Sequence, residues 1–310
     1  MGTKILNSNE LTNEAYHADT THVSGSKLAI IYNTCTARAL LEENKPSKAL
    51  SFGTLSHTMM LEPSIFSSLY VRDIEVSEDM LVTASDLTSW LKDQSRKGLS
   101  GKSKAELIEM VIDTATTAGI AVPPIYDLLK EAHSKTHSDK TIVSPDEYDM
   151  VIKMRQSLEV NGLYKDLQGG DTELSIFTEL HGVKVKVRVD YIDKYKGIVR
   201  DYKTTQSCDP RQFYYNSLNY GYLLKMALQQ AVCEQVFDRK FDMYLLAQEK
   251  VYPYIAIDFK LTEKHLEIGR EQLKIALQQY KTHLDTGTYS LYGNGLAQQE
   301  LWLPDNMITN

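Results

Sequence analysis

The sequence predicts an α/β or α+β domain built around one central sheet. Helices come first, because apolar residues near the N-terminus recur at helical spacing. A strand-like run at 173–177 follows, and then two hairpins at 182–205 and 241–260, which a helical stretch at 211–237 separates. A further helix is predicted at about 263–285. Helices and hairpins in this order are typical of one sheet covered by helices.

The N-terminal part contains two predicted helices. Residues 1–23 have little pattern and are interpreted as a lead-in. Two serines flank Gly25 just before an apolar run, so the first helix is expected to begin there and to end near 42–46. The second helix carries His57 in its middle and is ended by Pro63.

A charged, helix-prone stretch interrupts the pattern of apolar residues, and we interpret it as an insertion. A helix that opens at Pro145 follows it. Three parts are therefore predicted: N-terminal helices over 1–74, a helical insertion over 75–140, and a core over 141–310 that holds both hairpins and the last helix.

Composition restricts the class of protein. Hydrophobic residues make up 42% and charged residues 24%, which excludes wholesale disorder, collagen and coiled coil. No apolar run approaches the ~20 residues that span a bilayer, and the N-terminus lacks a signal-peptide pattern. Three widely spaced cysteines predict neither a disulfide framework nor a four-thiolate metal site. We expect a reduced cytoplasmic protein without membrane contact.

The net charge of −7 argues against a protein that coats nucleic acid through its overall charge. It is compatible with acidic groups in a metal site and basic groups confined to a groove. The arrangement of the charges therefore matters more than their sum.

The first hairpin carries the clearest chemical signal. Alternation places four charged side chains on one face of its first strand: Lys184, Lys186, Arg188 and Asp190. Asp201 and Lys203 share a face of the returning strand. Two carboxylates near the end of a paired hairpin can bind one hard divalent cation, and the lysine beside them can stabilise charge during attack on a phosphodiester. A surface hairpin with solvated Asp201 and Lys203 is the alternative.

These residues resemble a known family. Asp190 followed by Asp201-Tyr202-Lys203 resembles the catalytic core of the PD-(D/E)XK nucleases, in the RecB-like branch, and is most similar to RecE-like exonucleases of phages and prophages. Further similar segments occur in the same order, at 24–28, 52–63, 173–175, 219–222 and 248–254. The resemblance covers about 16–303 apart from the insertion, and it implies a mixed sheet flanked by helices.

The resemblance also implies a metal site, whose protein ligands would be His57, Asp190, Asp201 and the backbone carbonyl of Tyr202. Lys203 would be the catalytic lysine. Glu173 would be a second acid, with Glu179 as the alternative. Mg²⁺ is the expected cofactor because most ligands are oxygens, and a neutral histidine also suits Mn²⁺.

Several basic residues are predicted to contact DNA. Lys184, Lys186 and Arg188 share the face of Asp190, and Arg38 is a candidate for gripping a 5′-terminal phosphate. The family usually places glutamine and then tyrosine in the helix after the lysine, whereas this sequence has Lys225 and Gln229. Lys225 is therefore expected to contact a phosphate.

The insertion has its own basic cluster, formed by Lys92, Arg96, Lys97, Lys102 and Lys104. Residues 87–108 resemble the SAP-type helix–turn–helix, a small DNA-binding motif whose glycines allow a tight link between helices. A solvated pair of helices without DNA contact is the alternative.

The resemblance implies a metal-dependent exodeoxyribonuclease that degrades linear double-stranded DNA from 5′ to 3′ and leaves 3′ single strands for recombination. It also implies a homo-oligomer, a ring tetramer threaded by DNA, and a RecT-like single-strand annealing partner. One alternative is an endonuclease or repair nuclease of the same superfamily, without its iron–sulfur members, which need four cysteines. The other alternative is a non-catalytic DNA-binding module.

Overall fold

The computed structural model describes residues 2–42 and 48–292. It divides into two compact units, of which one comprises Met1–Glu62 with Lys153–Asn310 and the other Pro63–Ile152. Part of the predicted end of the first helix, at 43–46, lies outside the described residues. The last part of the resemblance, at 293–303, does so as well.

The strands, in chain order, are β1 (Lys4–Leu6), β2 (Val23–Ser24), β3 (Tyr70–Arg72), β4 (Thr141–Val143), β5 (Asp171–Leu180), β6 (Val183–Asp193), β7 (Ile198–Thr205), β8 (Asp242–Glu249) and β9 (Ala256–Lys260). The helices are α1 (Asn13–Ala18), α2 (Gly25–Asn33), α3 (Thr36–Leu41), α4 (Lys48–Leu61), α5 (Pro63–Leu69), α6 (Ala84–Asp93), α7 (Lys104–Ala118), α8 (Tyr126–Thr136), α9 (Pro145–Val160), α10 (Pro210–Asn219), α11 (Tyr222–Phe237) and α12 (Glu263–Thr286). A 3₁₀ turn covers Tyr164–Leu167.

The larger unit is built on one mixed sheet with the strand order β1-β5-β6-β7-β8-β9, and β2 lies beside β6. The β7–β8 and β2–β6 pairs are parallel, and the other pairs are antiparallel. The alternating valines of β6 are buried, as the sequence predicts, in an apolar cluster with residues of α2, α11 and α12. This cluster fixes β6 and β7, whose charged residues form the candidate site.

Three sequence predictions about this unit are wrong. The first helix, predicted to run to 42–46, is two helices, α2 and α3, which are separated at 34–35. The lead-in at 1–23 contains β1, α1 and β2, and β1 pairs with β5. The single helix at 211–237 is two helices, because the chain turns at Gly221. Gly221 has φ +64°, and a Cβ there would lie 2.6 Å from the Cβ of Ala29. Only glycine combines that conformation with such a close approach.

The smaller unit contains α5 to α8 and the parallel pair β3–β4. A small apolar cluster holds it together and consists of Leu87, Leu91, Leu107, Val111 and Ile125. Capping boxes fix the starts of α6 and α7 at Thr83 and Ser103. Across 2–42 and 48–292, no helix is both long and apolar enough to cross a bilayer.

Candidate active site

The site lies where β6 and β7 separate. The two strands pair from Asp193 opposite Ile198 to Tyr191 opposite Arg200, and the paired register ends there. Asp190 and Asp201 are the next residues on each strand, and both are buried. Instead of a regular ladder, the Asp190 Oδ2 accepts a hydrogen bond from the Tyr202 backbone N–H at 2.8 Å. The separation makes room for side chains between two otherwise paired strands.

Glu173 of β5 reaches the same place because it lies opposite Asp190. Thr172 pairs with Tyr191 and Leu174 with Val189, so one continuous register places Glu173 across from Asp190, although this position itself has no ladder pair. The backbone of Glu173 has φ +52°, which is unusual for a residue other than glycine. Glu179, the alternative acid, pairs with Lys184 near the other end of the hairpin.

His57 completes the cluster from α4. Its Nδ1 lies 3.6 Å from Asp190 Oδ2 and 3.9 Å from Glu173 Oε1, and its ring packs edge-on against Tyr202 at 5.3 Å between ring centroids. One ligand atom from each of His57, Glu173 and Asp190 lies within 4.8 Å of the other two. An imidazole and two carboxylates at this spacing fit a divalent cation.

Lys203 links the remaining acid to this cluster. Its ammonium forms an ion pair with Asp201, lies 3.7 Å from Asp190 Oδ2 and donates to the Tyr202 carbonyl at 3.1 Å. Gln229 also donates to Asp201 Oδ1, at 3.2 Å. The structure therefore groups Glu173 with His57 and Asp190. Asp201 and the Tyr202 carbonyl, both expected as ligands, are occupied by the lysine.

Burial and neighbouring charges shift the pKa values of the clustered groups. Burial and the neighbouring Asp201 carboxylate raise the pKa of Asp190 to about 6. Burial also opposes ionisation of Asp201, but the combined effect of Lys203, His57 and the hydrogen bond from Gln229 lowers its pKa. Burial disfavours the charged forms of His57 and Lys203, yet the nearby carboxylates raise the pKa of both. A bound divalent cation would offset the free-energy cost of ionising several desolvated carboxylates close together.

Lys225 adds a second lysine beside Lys203. Its Nζ lies 5.3 Å from the centroid of the Tyr222 ring, and Lys203 Nζ lies 5.8 Å from the same centroid. Burial, followed by the charge of Lys203, lowers the pKa of Lys225 to about 8. No ion pair among residues 2–42 and 48–292 includes Lys225. The phosphate contact of Lys225 stays a prediction.

The predicted DNA contacts of β6 are wrong for two residues. Lys186 is 4% exposed and donates to the carbonyls of Tyr16 and Asp19 at 2.6 and 2.5 Å. Arg188 donates to Ser175 Oγ at 2.8 Å and to the Leu11 carbonyl at 2.6 Å. The N-terminal segment, which the sequence analysis interprets as an unpatterned lead-in, covers this face of β6 and occupies both cations.

Lys184 is half-buried but remote from the cluster. It is separated from Asp190 by roughly 20 Å along an extended strand. It lines a cavity of about 290 Å³ together with residues of β1 and α1. Sharing a strand face with Asp190 therefore does not bring Lys184 to the site.

Arg38 lies on α3, is exposed and forms an ion pair with Glu42 at 2.9 Å.

In the smaller unit, Lys92, Arg96, Lys97 and Lys102 are exposed and Lys104 is half-buried. Three of these cations form ion pairs, which are Arg96 with Asp113, Lys102 with Glu106 and Lys104 with Asp127. Gly98 and Gly101 both have positive φ, so the link between α6 and α7 uses glycine as the resemblance implies.

Sequence reasoning missed two contributors. Tyr222 contacts both lysines and belongs to the segment 219–222, yet no role is predicted for it. Tyr16 packs against Lys186 and Arg188 at 4.8 and 4.9 Å from its ring centroid. No sequence pattern marks Tyr16, because α1 is only six residues long.

Comparisons with solved structures agree with this architecture. The chain is similar to the crystal structure of a protein from Eubacterium rectale provisionally designated an exonuclease, with 13% identity, a TM-score of 0.53 and 95% of each chain covered. This likeness shows a shared fold. The structure of the protein SSO0001 aligns over 72% of this chain and 85% of its own, with 10% identity and a TM-score of 0.26.

No curated protein matches the chain. The family described as PDDEXK-like domain of unknown function (DUF3799) matches residues 32–292, which is most of the chain. That range includes His57, Glu173, Asp190, Asp201 and Lys203. The chain therefore belongs to this family of PDDEXK-like domains.

Proposed function

We propose that this protein is a divalent-metal-dependent exodeoxyribonuclease. Family membership and the PD-(D/E)XK fold support a nuclease. The observation that carries the proposal is the meeting of His57, Glu173 and Asp190 within 4.8 Å, with Lys203 3.7 Å from Asp190. Acidic groups that can hold a cation, next to an amine that can face a phosphate, are the parts that phosphodiester hydrolysis needs.

Each side chain of the site has a separate role in this proposal. Mg²⁺ or Mn²⁺ would be held by His57, Glu173 and Asp190. When a DNA phosphate replaces Asp201 as the partner of Lys203, Asp201 would bind the cation as well. A bound cation supplies charge neutralisation at the phosphate and makes a coordinated water more acidic. Lys203 stabilises negative charge on the phosphate, and its raised pKa keeps it protonated at neutral pH. Gln229 holds Asp201 in place.

The finer parts of the proposal come from the RecE-like resemblance. These are degradation from the 5′ end, 3′ single strands as product, a ring-shaped homotetramer in the cytoplasm and a RecT-like partner. A ring would allow an acidic subunit with few free basic side chains near its site to bind DNA, because only the wall of the central channel needs to be basic.

Linear and covalently closed circular duplexes, each with Mg²⁺ or EDTA, test the function. We expect loss of the linear duplex only, only with the metal, and with release of a 5′-terminal label first. Nicking of the circular duplex would indicate an endonuclease instead of an exonuclease. If no metal-dependent product formed, the protein would be a non-catalytic DNA-binding module.

The variant Lys203→Met assigns the chemistry to this site. We expect cleavage to fall by at least about 10²-fold, because a preorganised charge at the reacting phosphate is lost, while Mg²⁺ still raises the thermal stability. Lys194→Met is the matched control, since Lys194 lies in the turn of the same hairpin and pairs with Asp171 at 2.7 Å. Full activity of Lys203→Met would remove this site from the proposal.

A further inference from the structure

The turn between α10 and α11 packs against α2. Gly221 lies close to Ala29 of α2, and Asn33 Nδ2 donates to the Asn219 carbonyl at 3.1 Å. The backbone is thus held on both sides of Tyr220. The backbone position of Tyr220 relative to α11 is therefore set by the fold.

Tyr220 and Tyr222 form an aromatic stack with one end in the core. Their ring centroids are 5.7 Å apart and their planes differ by 26°. On the core side Tyr222 packs against Phe213, at 6.3 Å, and Phe213 stacks on Phe259 at 4.9 Å. Phe213 is 4% exposed, whereas Tyr220 is 61% exposed. Packing accounts for the inner rings but leaves much of the outermost ring open to solvent.

Tyr222, in the middle of the stack, lies beside two lysines of the site. Lys203 and Lys225 both lie within 6 Å of the Tyr222 centroid, and Lys203 is also beside Asp190 and Asp201. A nucleotide joins a phosphate to a flat base through one sugar. A phosphate held by the two lysines would therefore leave its base next to the tyrosines.

We propose that Tyr220 and Tyr222 form a stacking platform for one unpaired nucleobase adjacent to the phosphate that is cleaved. The inference rests on the proposed nuclease function and specifies its substrate as DNA whose bases are unpaired at the site. Any base can stack on an aromatic ring, so the platform would tolerate all sequences. A base inside a duplex is covered on both faces by its neighbours, so the end of the duplex must fray to use the platform.

Binding in Ca²⁺ without turnover tests this directly, by fluorescence anisotropy of two labelled DNAs. One is a fully paired duplex and the other carries a short unpaired end of mixed sequence. For Tyr220→Ala we expect binding of the frayed DNA to weaken about tenfold, the typical effect of losing one base–aromatic stack, with the paired duplex nearly unaffected. Tyr220→Phe keeps the ring and is expected to bind like the wild type. Tyr195→Ala removes a tyrosine that is 91% exposed in the β6–β7 turn and is the matched control.

The outcomes separate the two proposals. If the wild type cleaves and binds DNA but Tyr220→Ala binds both DNAs as well as Tyr195→Ala does, the platform is refuted and the nuclease stands. Equal weakening for paired and frayed DNA would also refute the platform. If the wild type neither binds nor cleaves DNA, both proposals fail.

Discussion

Replacing Asp190 by asparagine should stabilise the metal-free protein at pH 8. The reason is the pKa of the Asp190 carboxyl, which rises on folding from 3.8 to about 6 because of burial and Asp201. This difference corresponds to about 3 kcal/mol, at about 1.4 kcal/mol for each pKa unit. Asparagine removes the charge and keeps an oxygen that can accept the hydrogen bond from the Tyr202 N–H.

The sign follows from proton linkage. A carboxyl with a higher pKa in the folded protein favours folding below pH 3.8, and this advantage is lost as the pH rises through about 6. At pH 8 the charged Asp190 therefore lowers the free energy of unfolding by up to about 3 kcal/mol. Asp190→Asn should recover this amount at pH 8, less at pH 5, and none below the unfolded pKa.

Urea unfolding in EDTA at pH 8 and pH 5 measures the effect. Mg²⁺ at 100 times its dissociation constant should add about 2.7 kcal/mol to the wild type and much less to Asp190→Asn, which lacks a ligand charge. Asp193→Asn is the control on the same strand. Hydrogen bonds from the Lys196 backbone N–H and side chain lower the pKa of Asp193, so this variant should lose stability. If Asp190→Asn were less stable than the wild type in EDTA at pH 8, the electrostatic account of the cluster would be wrong.

Two further predictions concern the surroundings of the site and the smaller unit. Gln229→Leu removes a hydrogen-bond donor to the buried Asp201 carboxylate, so the free energy of unfolding should fall by about 1–3 kcal/mol. The acid limb of the cleavage pH profile should also move to higher pH. An unchanged profile would show that this hydrogen bond does not affect the pKa of Asp201. Replacing both Lys102 and Lys104 by glutamate should weaken duplex binding and flatten its dependence on salt. Fluorescence anisotropy at KCl concentrations between about 50 and 200 mM measures both effects. The control Lys135→Glu should have little effect. Unchanged binding in the double variant would favour the solvated pair of helices.

Much of the larger unit is predictable because its strands are long. In β6 the buried valines alternate with charged residues from Val183 to Asp190, so both the strand and its core face can be derived from the sequence. The spacing of Asp190, Asp201 and Lys203 likewise follows from two paired strands. The resemblance to PD-(D/E)XK nucleases at superfamily level is confirmed by the family match.

The remaining features depend on structure that has no sequence period. The strands β1 and β2 have three and two residues, which is too short for an alternating pattern. The register of the β5–β6 pair places Glu173 opposite Asp190, but no sequence pattern predicts the positive φ of Glu173. Alternation correctly places Lys186 on the face of Asp190 but cannot show that α1 covers that position.

The N-terminal segment has a practical consequence for anyone who produces this protein. The carbonyls of Leu11, Tyr16 and Asp19 hold Lys186 and Arg188 away from solvent. Shortening the chain at this end would uncover two cations on the strand that also carries Asp190. A truncated preparation would then retain DNA through a surface that the intact protein conceals, and its retention would be mistaken for substrate binding.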